Sequence, residues 1–368
     1  MLAQVAQAKE YQIDPTADFL ALKASNSHNQ YLTASEVTTW KDWGDGVWRT
    51  NDTYTATGLK INYVEFTNWA VDNETSSGDK LGIWQRTSNI TKYDRYSHPI
   101  EERSISGNYI SSVYGYDESL PIAIVTGARR SEQALGSEAS FIGFESNDEG
   151  QTLSDNDYWS LNAYNEYSTD AHTGTYSRKI LSTSQSGTSP CYGPTRDFLP
   201  PDLEGQNRKY VLSCWVKTET GFGSNNGSLV IHSKQDSEDN TLYPNSGSAI
   251  NDVPINDTQG KWVYYQAVID LGNVRTENSI GGGTLLRIRC YPKNDNPSKY
   301  MLIDDIRLRP IDASMSTYTY NDLGKVTSIT DENNITAYYE YDDAGRLKLV
   351  RDQNYNIKAK HEYHYARE

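Results

Sequence analysis

The chain is poor in cysteine, methionine and phenylalanine, with 3, 3 and 6 of them in 368 residues. Three cysteines, Cys191, Cys214 and Cys290, cannot build the dense disulfide framework of small secreted folds, and an odd number leaves at least one thiol unpaired in a monomer. Cys214 and Cys290 lie inside strand-like runs, where a free buried thiol is the usual state. Positive charge is also short. Against 49 Asp and Glu there are 34 Lys and Arg, a net charge of −15, and this opposes nucleic-acid binding, which needs a basic surplus to meet phosphates. No apolar run approaches the ~20 residues of a membrane-spanning helix. The opening MLAQVAQAKEYQIDP has neither a basic n-region nor a continuous apolar h-region, so it is not a signal peptide. If the protein is exported, its export signal is expected outside this chain, which is then a piece of something longer. Catalytic motifs are missing too. There is no Gly-x-Ser-x-Gly, His-Glu-x-x-His, phosphate loop or Cys-x-x-Cys, and the six histidines (28, 98, 172, 232, 361, 364) are scattered. Nothing assembles a nucleophile, a base and an orienting group, so the expectation is a protein that is not an enzyme.

What the chain has is tyrosine, tryptophan and turn residues: 28 Tyr, 8 Trp and 26 Gly. Tyr and Trp suit pleated, half-exposed surfaces, and Gly with Asn, Asp and Ser supplies turns. An all-β fold follows, with helix confined to short turns. Residues 1–92 form an N-terminal β-rich segment. Residues 1–15 are read as a short helix or a frayed start, and Trp40, Trp43, Trp48, Trp69 and Trp84 as packing residues. Between residues 136 and 311 come the clearest alternating runs, YVLSCWVKT (210–218), KWVYYQAVIDL (261–271), LLRIRCY (285–291) and YMLIDDIRLRP (300–310). Polar loops at 181–209, 219–228 and 233–260 separate them. Period-two runs bounded by turns read as strands, and several with long loops as a sandwich or jelly roll.

Residues 312–368 repeat. Tyr320 aligns with Tyr341, Gly324 with Gly345 and Asp331 with Asp352, each at an offset of 21 residues, and Tyr363 and Tyr365 open where another unit would start. Asn321–Gly324 and Asp342–Gly345 are turn tetrads in which Gly can take positive φ, so each unit is a β-hairpin. Tyr318 and Tyr320, like Tyr339 and Tyr341, alternate and share a face that one hairpin cannot bury alone. A degenerate strip at 93–135 carries Tyr93-Asp94 and Tyr116-Asp117, 23 residues apart.

These motifs resemble the tyrosine–aspartate (YD) repeats of the Rhs family, over residues 318–365 and in degenerate form over 93–117. Ser97 and Asn334 stand where that family usually has Gly. The run VYGYDESLPIAIV followed by FIGFES resembles a subgroup of large surface proteins exported by the type IX route of gliding-type bacteria. Toxin-bearing members of the family end their repeats with Asp-Pro-x-Gly. Here the one Asp-Pro, Asp14-Pro15, is followed by Thr16, which does not support toxin delivery.

GFES (143–146), AHTGTYSRKI (171–180), YVLSCWVKT and IDDIRLRP (303–310) together resemble the galactose-binding-like jelly rolls of carbohydrate-binding modules. The expected fold is therefore all-β, a YD-repeat hairpin sheet flanking a jelly-roll sandwich. Alternation sets Leu212, Cys214 and Val216 opposite Trp215, and Leu286, Ile288 and Cys290 opposite Arg287, Arg289 and Tyr291. Burying the apolar sets places Trp215, Arg287 and Arg289 on an outer sheet face, where they could hold a glycan. The alternative is that Trp215 packs under a loop or against the YD segments. The resemblance also implies a structural Ca²⁺ at Glu145 with Asp304 or Asp305, the alternative being plain surface carboxylates.

The functional expectation is a structural or adhesive module of a secreted or cell-surface protein. A carbohydrate-binding module and part of an Rhs-type shell or secretion-system cargo are the alternatives. The expected partners are a glycan, and either upstream repeats of a longer parent chain or a surface or secretion protein. Residues 93–130 and 318–368 are expected to form one sheet system from which the jelly roll projects as an insertion.

Overall fold

The computed structural model describes residues 7–11, 32–57, 66, 84–130, 138–145, 159–161, 165–198, 209–235, 251–270 and 286–364. Two compact units divide the chain between Ile110 and Ser111. Among the described residues no helix is long and apolar enough to cross a membrane.

The first unit is a run of antiparallel strands: β1 (Gln7–Tyr11), β2 (Leu32–Asp42), β3 (Trp48–Thr57), β4 (Gln85–Tyr93) and β5 (Pro99–Ser104), each paired with the next. The helical reading of residues 1–15 is corrected here, because Gln7–Tyr11 is an extended strand on β2, with Gln7 opposite Val37. Its burial alternates, the period of a strand with one covered face. Val37, Tyr54, Ala56, Phe66 and Trp84 form the core of this unit. Trp84 is buried as expected, Trp40 and Trp43 are half-buried, and Trp48 departs from the expectation at 46% exposed. Trp69 lies outside the described residues.

The second unit carries β6 (Tyr109–Gly115), whose first residues precede the boundary, and β7 (Leu120–Thr126). A sandwich follows, built from β8 (Ser140–Ile142), β9 (Asn165–Ser168), β10 (Ser177–Ile180), β11 (Cys191–Tyr192), β12 (Arg196–Phe198), β13 (Lys209–Thr218), β14 (Gly227–Gln235), β15 (Asn251–Ile255), β16 (Val263–Asp270), β17 (Leu286–Asn294) and β18 (Met301–Pro310). One sheet runs β16-β13-β18-β10-β9, with β8 also on β18; the other runs β11-β17-β14-β15, with β12 also on β17. Among the described residues the one helix is the single turn α1 (Thr183–Ser186), closed by a Ser182–Gln185 capping box and by Gly187 at φ 71. Between the sheets lie Leu212, Cys214 and Val216 from β13, Leu229 and Ile231 from β14, Ile288 and Cys290 from β17, and four residues of β18. On β13 the expected pairing of faces holds, on β17 Ile288 and Cys290 are in the core while the side chains of Leu286 and Arg287 lie outside the described residues, and Cys191, Cys214 and Cys290 are free and buried.

The four β18 residues are Met301, Ile303, Ile306 and Leu308, so the alternation slips by one. Ser213 faces Arg307 and Trp215 faces Asp304, so two residues of β18 oppose Cys214 alone. This β-bulge, with Asp305 at φ 49, turns the carboxylates of two successive residues away from the core.

The chain then returns to the sheet it left. β19 (Ser314–Tyr320) pairs with β7, Ser314 opposite Thr126 and Thr317 opposite Ala123, and is followed by β20 (Val326–Thr330), β21 (Thr336–Tyr341), β22 (Leu347–Arg351) and β23 (Ile357–Lys360). The turns share one construction. Asn321 Oδ1 accepts from the N–H of Leu323 and Lys325 at 3.0 and 2.9 Å, and Asp342 Oδ1 from Ala344 and Arg346 at 3.0 and 2.8 Å. Asp331, Asp352 and, in the first unit, Asp94 do the same. The fourth turn residue is left-handed every time: Gly324 (φ 70), Gly345 (φ 73), Asn334 (φ 60), Tyr355 (φ 62) and Ser97 (φ 75). The tyrosines that precede three of these turns, and Tyr363 at the next repeat position, share a task. Tyr320, Tyr341 and Tyr363 donate their hydroxyls to the carbonyls of Pro121, Val326 and Leu347 at 2.7, 2.8 and 2.8 Å. Tyr93 does so to Thr50 at 2.8 Å. Tyr365 lies outside the described residues.

Candidate functional site

The bulge on β18 gathers one group of polar residues on the outer face of its sheet. Asp304 is fully buried, and its Oδ2 accepts from the N–H groups of His172 and Thr173 at 2.8 and 3.2 Å. Asp305 receives the Thr173 hydroxyl at 2.7 Å and lies 2.7 Å from His172 Nδ1. Glu145 accepts from the N–H groups of Thr175 and Tyr176 at 2.8–2.9 Å. Gly174 is required here, since a Cβ on it would sit 2.3 Å from the Glu145 carboxyl carbon. Burial, with Asp305 nearby, pushes the Glu145 carboxyl up to about 7. Burial, then Asp305 and Glu145, pushes Asp304 well above the carboxylate range.

Trp215 belongs to the same place. The His172 ring stacks on it at 3.9 Å, with Tyr264 at 5.7 Å on another side. The repeat hairpins reach this face directly. The Tyr338 hydroxyl donates to the His172 carbonyl at 3.0 Å, and the Tyr338 ring stacks on Tyr355 at 4.6 Å. Arg307, 3% exposed, donates to the Asp331 carbonyl, Asn334 Oδ1 and Thr317 Oγ1 at 3.1, 2.9 and 2.6 Å. This face is the joint between the jelly roll and the repeats.

A shared outer face for Trp215, Arg287 and Arg289 is therefore corrected. Trp215 is on β13, and Arg289 is on β17 in the other sheet. The side chain of Arg287 lies outside the described residues. Trp215 is half-buried, with the His172 ring of the 171–175 loop stacked on it.

The outer face of β17 carries a second group. Arg289 makes a two-pronged ion pair with Asp197 on β12 at 2.7 and 2.8 Å, its side chain 35% exposed. Tyr291 lies edge-on to Tyr192 of β11 with centroids 5.3 Å apart, and Tyr192 is 41% exposed. Burial, with Tyr192 beside it, pushes the Tyr291 hydroxyl up to about 12. Tyr291 is opposite Val230, which is opposite Asp252. Aromatic edges next to a fixed guanidinium–carboxylate pair offer both apolar contact and directed hydrogen bonds. Sequence reasoning named Arg289 and set Tyr291 on the same strand face, and it did not single out Tyr192 and Asp197, whose strands of two and three residues lie in a stretch read as loop.

The carboxylate joint offers the oxygen donors a hard cation takes, while its carboxylates already accept hydrogen bonds and burial holds Glu145 and Asp304 toward the protonated form. Among the described residues no Lys or Arg forms an ion pair with Glu145, Asp304 or Asp305, and the donors are oxygens. Convergence is lacking: among those residues no three His, Cys, Asp or Glu groups meet around a common point.

Residues 320–354 match the RHS repeat family model, in agreement with the hairpins there. No curated protein sequence matches the chain. Similar solved structures include the CBM22-1 xylan-binding domain of Xyn10C from Paenibacillus barcinonensis, 16% identical over 47% of this chain and 93% of that one, TM-score 0.26. The C-terminal family 22 carbohydrate-binding module of Clostridium thermocellum Xyn10B is 13% identical over 50% and 92%, TM-score 0.24. The K3 adhesin domain of the Porphyromonas gingivalis Lys-gingipain is 10% identical over 50% and 97%, TM-score 0.24.

Proposed function

We propose that this chain is a non-enzymatic segment of a surface or secreted protein, in which a YD-repeat sheet holds a jelly roll that binds a glycan across the outer face of β17. The observation that supports this is the contrast in side-chain use. The β18 side is bonded to the repeats, and the β17 side keeps Tyr192 and the Arg289–Asp197 pair partly exposed. The exposed Tyr192 ring, braced edge-on by the buried Tyr291, would supply apolar contact to a sugar ring, and Arg289 with Asp197 would bond its hydroxyls. A glycan array tests it. Binding is expected for the wild type and is expected to fall about tenfold or more in Tyr192→Ala and Arg289→Ala, a loss of about 1.4 kcal/mol or more. Trp215→Phe is expected to bind as the wild type does. Binding lost in Trp215→Phe and kept in Tyr192→Ala would overturn the assignment. No binding to any glycan would leave the scaffold role alone.

The same reading includes a structural Ca²⁺ held by Glu145 with Asp304 or Asp305, whose carboxylates would have to converge on binding it. Bound there, it would offset the buried negative charge of the joint.

A further inference from the structure

The first unit contains a pocket of about 280 Å³ that the proposed function does not use. That is close to the ~300 Å³ lower end of small-ligand sites. It lies where β4 begins and β5 ends, a ladder in which Ser88 faces Ser104 and Asn89 faces Arg103. Trp84, 2% exposed and edge-on to Phe66 at 5.4 Å, supplies apolar lining together with Ile105, which is 61% exposed. Gly107, at φ 81, bonds back to the Ser104 carbonyl at 2.9 Å and keeps the turn tight.

The charges in the lining are of one sign. Arg86 and Arg103 are both in the lining, and among the described lining residues there is no carboxylate. Arg86 lies 3.5 Å from Asp52, a buried carboxylate that also accepts from Asn51 and Asn89 at 2.6 and 2.9 Å, and the Arg86 side chain remains 45% exposed. Arg103 lies over the Tyr109 ring at 5.8 Å and makes no ion pair among the described residues. Two guanidiniums thus share one described lining in a chain of net charge −15. Planar N–H forks match the paired oxygens of a carboxylate or sulfate. The apolar lining suits the C–H face of the ring that carries such a group.

We propose that this pocket binds the anionic group of an acidic saccharide, with Arg86 and Arg103 on the carboxylate or sulfate oxygens and Ser104 beside them. The site is separate from the glycan face of the jelly roll. Calorimetry on the full chain tests it with an oligoglucuronate, a sulfated glucan oligosaccharide and a neutral glucan oligosaccharide of equal length. At least one acidic probe is expected to bind, more weakly as salt rises. Arg86→Gln and Arg103→Gln are each expected to weaken binding about tenfold, and Arg103→Lys, which keeps charge but loses the fork, less than that. Unchanged melting temperatures would show the variants folded. Preference for one acidic probe identifies the anion as carboxylate or sulfate. Tyr192→Ala is expected to leave acidic binding intact, so failure of the jelly-roll reading is told apart from failure of this one. The proposal is overturned by equal binding of the neutral probe, by wild-type affinity in both Gln variants, or by no binding of either acidic probe.

Discussion

On the outer face of the sheet that holds β13 and β18, Trp215 lies under an imidazole 3.9 Å away and Arg307 is bonded to the Asp331–Asn334 turn of the repeats. On the outer face of β17, Tyr192 keeps 41% of its surface and Arg289 is braced sideways by Asp197. Both faces carry an aromatic beside an arginine, the residue types from which a sugar site would be guessed. What separates them is what else covers the sheet. On one face the arginine is a structural donor with 3% exposure; on the other it is a half-exposed group of fixed direction. Residue type and strand parity therefore do not identify a binding face without knowing what packs over it.

The largest expected effect comes from opening the covered face. Arg307→Ala removes three hydrogen bonds and leaves the Asp331 carbonyl, Asn334 and Thr317 without that donor. A loss of about 3 kcal/mol in stability is expected, since charge-assisted buried bonds are among the stronger ones. Denaturant melts measure it, and glycan binding by the folded variant should be unchanged. A wild-type midpoint would mean that the joint is not held there.

The next effect is one of pH and of calcium. Glu145 is raised from 4.5 to about 7, so the folded state holds its proton where the unfolded chain has lost it. The stability this contributes is complete below pH ~4.5 and is lost as pH rises to about 7, up to about 3 kcal/mol in all. In chelator, melting temperature is expected to fall across that window, and Glu145→Gln to flatten the fall. Millimolar Ca²⁺ is expected to restore stability at the upper end by mass action. Identical melts in chelator and Ca²⁺ would rule out the cation, and a flat wild-type profile would rule out the carboxyl.

The smallest effect concerns the hairpins that form the covering. Gly345→Ala places a Cβ at φ 73, within 3.1 Å of Lys325 Cε, and should cost about 1 kcal/mol. Thermal melts read it. No change would mean that this turn relaxes out of the left-handed form.

Much of this was legible in the chain. Alternation located β13, β16, β17 and β18, and the 21-residue offset located the hairpins down to the glycines at positive φ. The joint was half legible. Ile303 and Ile306, both in the core and three apart, break the period of two, and that break marks the bulge at Asp304 and Asp305. What alternation could not supply is sheet membership. Trp215 and Arg289 share a parity relative to the core yet belong to different sheets, because long-range pairing and not local pattern decides which strands are neighbours. Tyr192 and Asp197 were hidden for a related reason, since strands of two or three residues are held by their partner on β17 more than by their own sequence.

The close return of the chain has a consequence for assembly. Thr126 and Ser314 are directly opposite, and a Cβ on Gly127 would stand 3.4 Å from the Ala313 Cα, so the jelly roll enters and leaves through a single gap in the repeat ladder. To the sheet, the whole jelly roll amounts to one turn. It is a cassette: its size and fold can change while the ladder on either side keeps its spacing. A chain in which a two-residue Asn-Gly turn replaces 127–313 is expected to join β7 to β19 as an ordinary hairpin, because such turns match the twist of antiparallel strands. A β-rich far-UV spectrum with a cooperative melt would show it, and a disordered spectrum would mean that the sheet depends on its passenger.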